Sequence, residues 1–114
     1  MATLSLRVDL SPALAGRVGP GKIALLEAVR EHRSISAAAR ELDMSYRRAW
    51  LLLDALNQSF RTPVVSTATG GKHGGGATLT PTGEQIVKLY RDLEKAAQQA
   101  AAPHLKALQQ LTLK

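Results

Sequence analysis

The chain has 114 residues, a formal net charge of +6 and no cysteine, a length that suits one domain around one hydrophobic core. Disulfides and thiolate metal sites are excluded, and no apolar run reaches the roughly 18 residues of a membrane span. A basic balance, with a pI near 10.2, suggests an anionic partner, either nucleic acid or a membrane surface, and the lack of cysteine fits the expected cytoplasmic compartment.

Leu4, Leu6, Val8 and Leu10 alternate with Ser5, Arg7 and Asp9, the period of a half-buried strand. Arg7 and Asp9 interrupt the run, so it lacks the order of a signal peptide. The prolines and glycines of 11–20 then predict loop. Over 21–33, Ile23, Leu26 and Val29 share one helical face, with Lys22, Glu27, Arg30 and Glu31 largely off it. Ser34 is placed to cap a short second helix through Leu42, rich in alanine at Ala37, Ala38 and Ala39. Asp43 and Met44 make a tight break, and aspartate tolerates the left-handed conformation such a turn uses. Ser45 can cap a third helix, from Tyr46 to about Phe60, with Ala49, Leu52, Leu53, Leu56 and Phe60 as its buried stripe.

Pro63 ends that helix. Val64 to Ala68 and Ala77 to Thr80 read as two short strands, joined by Thr69, Gly70, Gly71, Lys72, His73, Gly74, Gly75 and Gly76 in a long hairpin, or wing. Thr80 and Pro81 start a long helix. Pro103 is expected to kink or restart it, and Leu105, Leu108 and Leu111 carry the apolar pattern on.

This order of elements is that of a winged helix-turn-helix, mostly α with a small β-hairpin, an N-terminal strand and a long C-terminal helix. The expected division is 1–80 for the DNA-binding unit, with the helix-turn-helix at about 34–60 and the wing at about 64–80. Residues 81–114 form the C-terminal helix of the same domain. Ile35, Ala38, Leu42, Met44, Ala49 and Leu52 fall where such a motif is buried, and Ala39 where two helices cross closely.

The middle of the chain is its electrostatic face: from Met44 to Thr78 the charged residues are Arg47, Arg48, Arg61 and Lys72 against Asp54 alone. Ser45, Tyr46, Arg47 and Arg48 form the first turn of the third helix, where side chains of a recognition helix meet base edges. Arginine can bond two guanine acceptors or a phosphate, and Tyr46 can donate to a phosphate or pack over Trp50. Trp50 is read as flank or core packing. Ser34 and Ser36 join the candidate contacts, as do Thr69, Gly70, Gly71, Lys72, His73, Gly74 and Gly75 of the wing, whose backbone N–H groups can approach an anion. A nucleotide P-loop is excluded: Ser66 stands where its first glycine belongs, His73 follows Lys72, and a strand follows the loop. His32, His73 and His104 are scattered and no His/Asp/Glu set shows metal spacing. An enzyme, a metal site and a cofactor are therefore not expected.

These residues resemble a known family. Ser34-Ile35-Ser36, Ala38-Ala39, Ser45-Tyr46, Ala49-Trp50, Asn57, Thr69-Gly70-Gly71-Lys72, Gly74-Gly75-Gly76-Ala77, Leu79-Thr80, Gly83 and Leu89-Tyr90 look like the N-terminal domain of the molybdate-responsive ModE regulators, over roughly Leu4 to Ala100. LysR-type regulators share the helix-turn-helix ancestry with a different recognition helix and wing. The resemblance implies a homodimer that binds double-stranded operator DNA through the third helix and wing. Full-length members continue into a molybdate-binding module, whereas this sequence ends at Lys114, so molybdate is not expected to bind this chain directly. A protein-interaction module, or a partner subunit for a separate molybdate-sensing protein, is the alternative. Ile86, Leu89, Tyr90, Leu93, Ala97 and Ala100 recur at spacings of three and four, as a dimerisation face needs; the other reading is a helix folded back on its own domain.

Overall fold

The computed structural model describes residues 2–10, 17–68 and 76–113. Two short strands, β1 (Val8–Asp9) and β2 (Arg17–Val18), precede three helices: α1 (Pro20–His32), α2 (Ile35–Glu41) and α3 (Tyr46–Ser59). A hairpin of β3 (Val65–Ala68) and β4 (Gly76–Leu79) follows, then α4 (Pro81–Gln110). The expected winged helix-turn-helix with its long C-terminal helix is the observed fold. The core gathers Ile23, Leu25, Leu26 and Val29 of α1, Ala38 of α2, Ala49, Leu53 and Leu56 of α3, Val64, and Val87 and Tyr90 of α4. Leu42, Met44 and Leu52 are only partly buried and pack against its edge.

The capping residues end up where their chemistry directs them. Ser34 Oγ accepts from the Ala37 N–H at 3.1 Å and Ser45 Oγ from the Arg48 N–H at 3.1 Å, each satisfying a donor that the first helical turn cannot. Asp43 takes a φ of 56°, the left-handed conformation that turns α2 into α3. Met44 N–H then donates back to Ala39 O at 2.9 Å. Ala38 and Ala39 are both buried, so their small side chains let the helices of the motif approach closely. Arg33 closes α1 with the same left-handed geometry, φ 56°, and its carbonyl accepts from the Ala77 N–H at 3.1 Å. The wing is thereby bonded to the end of α1.

Two elements depart from the sequence reading. The alternating N-terminal stretch is a ladder strand only at Val8–Asp9, which pairs antiparallel with Arg17–Val18. Before that the chain runs extended along α4, where Tyr90 Oη donates to Leu6 O at 2.8 Å and Gln98 Nε2 to Leu4 O at 2.8 Å. Ala2 N–H reaches Gln109 Oε1 at 3.0 Å. Leu4, Leu6 and Val8 are half-buried as the alternation predicts, but Leu10 is exposed, and helical side chains supply the backbone partners for part of the segment. Secondly, α4 continues without a break through Pro103. Proline removes the donor that would bond Gln99 O, and both residues are exposed, so water can satisfy that carbonyl. No helix among the described residues is long and apolar enough to cross a membrane.

Candidate nucleic-acid interface

Helix α3 offers a free first turn. Ser45, Tyr46, Arg47 and Arg48 are all exposed, because Ala49, Leu53 and Leu56 turn inward and fix the rotation of the helix. Arg47 and Arg48 line one shallow concavity with Ser45, Leu51 and Leu52. On the other flank, Tyr46 and Trp50 line a concavity of about 380 Å3 with Ser34, Ile35 and Ser36 of the α2 start and Thr67, Ala68, Gly76 and Ala77 of the wing stem. The fold thus sets Ser45, Arg47 and Arg48 on one flank of the first turn of α3 and Tyr46, with Ser34 and Ser36, on the other. Thr69, Gly70, Gly71, Lys72, His73, Gly74 and Gly75, the wing-tip candidates, lie outside the described residues.

Three further residues lie beside this surface; Trp50 and Arg33 escaped the sequence reading, while Leu51 stands off the buried stripe as its spacing predicts. Trp50 was expected as flank or core packing, yet it is 45% exposed. Ala49 and Leu53 already fill the inward strip, and Trp50 falls at its rim beside Tyr46. Leu51, 48% exposed, points outward one turn after Arg47. Arg33 is exposed beside Ser66, Thr67 and Thr78 of the wing stem. Of these, Leu51 carried a clear signal in the sequence, since it stands off the apolar stripe of α3, whereas Trp50 falls at the rim of that stripe.

The wing is fixed to the helices by polar side chains. Asn57 Oδ1 accepts from the Val64 and Val65 N–H groups at 2.8 and 3.0 Å, and its Nδ2 donates to Val65 O at 3.2 Å. Thr80 Oγ1 donates to Pro63 O at 2.6 Å, lies 3.1 Å from Val64 O, and accepts from the Gly83 N–H at 3.1 Å as the cap of α4. Gly83 sits so close to the wing base that a Cβ there would stand 2.3 Å from Val64 O.

On α4, Leu89 and Leu93 are 58% and 46% exposed, Ile86 and Ala97 are half-buried and Ala100 is exposed. Tyr90, expected on the same partner-facing stripe, is instead buried in its own domain, because its hydroxyl anchors Leu6 and its ring closes the core beneath the N-terminal segment. Burial and the nearby Glu94 carboxylate push its phenol up. Val8, Leu10, Val18, Phe60, Ile86, Leu89 and Leu93 surround it in an apolar groove. Arg91 hydrogen-bonds both oxygens of Glu27, at 2.6 and 3.0 Å, and ties α4 to α1. That contact holds the Glu27 carboxyl below its usual range, against an opposing effect of burial. The fold also gathers Glu31, His32 and Glu41, each offering an atom within 4.8 Å of the others. Sequence spacing hid this trio because Glu41 belongs to a different helix. All three are exposed, and His32 already meets Glu41 at 3.1 Å.

The comparisons agree with this architecture. Residues 21–84 match the model of the bacterial regulatory helix-turn-helix proteins of the lysR family, and the chain belongs to that family. The chain is 49% identical over 78 residues to the molybdenum-pterin-binding protein MopB of Rhodobacter capsulatus, a match covering 68% of this chain and 29% of the relative. It is 39% identical over 100 residues to the molybdenum transport protein ModE of Azotobacter vinelandii, covering 88% of this chain and 36% of the relative. To the DNA-binding transcriptional dual regulator ModE of Escherichia coli (strain K12) it is 40% identical over 81 residues, 71% of this chain and 31% of the relative. The chain spans about a third of the length of the curated relatives it matches. The resemblance to ModE-type regulators, read from the motifs, is thus borne out.

Proposed function

We propose that this chain is a DNA-binding transcriptional regulator of ModE type, acting in the cytoplasm on double-stranded operator DNA and carrying no catalytic activity. The observation that carries the reading is the free first turn of α3. Its two arginines stand exposed on one flank, and on the other Tyr46 borders a concavity that α2, α3 and the wing stem line. A helix presented this way can enter the major groove while the concavity takes the sugar-phosphate backbone. The net charge of +6 favours the encounter.

The regulator acts as a homodimer. Support comes from α4, whose 30 residues span about 45 Å at about 1.5 Å per residue. Beside the core residue Tyr90 this helix leaves Leu89 and Leu93 open to solvent, in an apolar groove shared with Val8, Phe60 and Ile86. A second copy covering them would set two recognition helices about one DNA turn apart, near 34 Å. The names of the relatives link the family to molybdenum, and molybdate itself is not assigned to this chain. The test is a gel-shift series with genomic fragments over a range of salt. Retention of one fragment at salt that releases the others is expected; uniform, salt-labile binding or none would refute the reading.

A further inference from the structure

Leucine in the middle of an exposed helix face is a cost in water, and single exposed apolar residues are common enough to need no account. The position of Leu51 sets it apart. With Ala49, Leu53 and Leu56 turned inward, the opposite face of α3 is centred on Arg47 and Leu51, four residues apart and so on one line along the helix. Arg47, Arg48 and Leu51 border the same shallow concavity, and Trp50, also exposed, flanks that line on the side of the wing. An apolar side chain is therefore continuous with the arginines of the nucleic-acid surface.

The major-groove edges of the four bases carry hydrogen-bond donors and acceptors, and thymine adds one apolar group, the C5-methyl. We propose that Leu51 is a specificity-determining residue that reads a thymine methyl close to the base bonded by Arg47. Four helical residues advance about 6 Å, against about 3.4 Å per base along one strand, which places the thymine one or two steps from the arginine's base. Removing the methyl leaves the Leu51 side chain facing an unfilled gap, while every hydrogen bond from the arginines is unchanged. The inference rests on the DNA-binding reading above.

The experiment uses the full chain and a random-sequence duplex pool, from which a binding site is selected. The selected duplex is then remade with deoxyuridine replacing thymidine at one position at a time, which deletes the methyl and nothing else. The wild type is expected to lose about fourfold in affinity at one or two positions, the factor that burial of one methyl group carries. Leu51→Ala should bind the thymine and uracil duplexes equally at those positions, and Leu51→Met should keep the preference. A wild type indifferent to the methyl at every position, or a Leu51→Ala protein that keeps the full preference, would overturn the assignment and leave DNA binding standing. Failure of the wild type to enrich any sequence from the pool would overturn both.

Discussion

Replacing Gly83 with alanine should destabilise the domain, although alanine is the better helix former. At a helix position, alanine in place of glycine is worth up to about 1 kcal/mol. Here the added Cβ would meet Val64 O at 2.3 Å, with Leu79 Cβ and Val64 C both at 3.3 Å. The carbonyl would have to retreat by about 0.7 Å merely to reach 3.0 Å, and it is backbone rather than a pliable side-chain tip. Val64 O also accepts from the Thr80 N–H at 3.0 Å and lies 3.1 Å from Thr80 Oγ1, so its retreat stretches both bonds. Overpacking of this kind costs about 1–3 kcal/mol, and weakening a hydrogen bond about 1 kcal/mol more. Set against the helix gain, the net loss is about 2 kcal/mol, a fall of roughly 10 °C in Tm for a domain of this size. Thermal melts followed by circular dichroism, with urea titrations at 25 °C, would measure it. An unchanged or raised Tm would refute the close approach of α4 to the wing base.

Arg47→Ala or Arg48→Ala should each cost about 1–3 kcal/mol of affinity for a selected operator, with the melting curve unchanged; gel shifts on folded variants decide it. Lys72→Ala should weaken operator and random duplex alike and lower the salt slope by about one; loss of operator binding alone would make the wing a base reader. Leu93→Asp should give a folded monomer in analytical ultracentrifugation with weak operator binding. A wild type already monomeric at micromolar concentration would end the dimer model. Because Arg91 lowers the Glu27 carboxyl, that contact stabilises the fold above the usual carboxylate range, and the stabilisation disappears as pH falls through the lowered value. Glu27→Gln should therefore lose stability near neutrality and show a flatter decline in acid, as pH-dependent urea midpoints would record.

What the sequence made legible was local. Ser34 and Ser45 as caps, Asp43 in the left-handed turn and Thr80-Pro81 at the head of α4 each depend on atoms within a few residues, so side-chain chemistry decides them. The inward rotation of α3 was also readable, because Ala49, Leu53 and Leu56 repeat at helical spacing. Trp50 was not, since it stands at the rim of that stripe, where periodicity cannot separate flank from surface. Asn57 and Gly83 were visible as motif residues, but their roles depend on Val64, which only the folded chain brings near. The N-terminal alternation reported an extended, half-buried segment correctly from Leu4 to Val8 and failed at Leu10, which is exposed. It carried no information on whether a strand or the side chains of α4 would satisfy the backbone.

The bonds around Val64 and Val65 bear on how dimerisation would act on DNA. Asn57 binds these residues to α3, and Thr80 binds them to the first turn of α4. Gly83 lets that turn sit against the same carbonyl. The end of α3, the base of the wing and the start of α4 are therefore joined by short polar contacts, with no intervening flexible linker. At the other side of the wing, Ala77 is bonded to Arg33 at the end of α1, and Arg91 ties α1 back to α4. A rotation of α4 relative to the recognition helix would have to break several of these contacts together. Two copies paired along α4 would accordingly present their recognition helices at a set separation, and the ordering cost of aligning them would fall at dimer formation rather than at DNA binding.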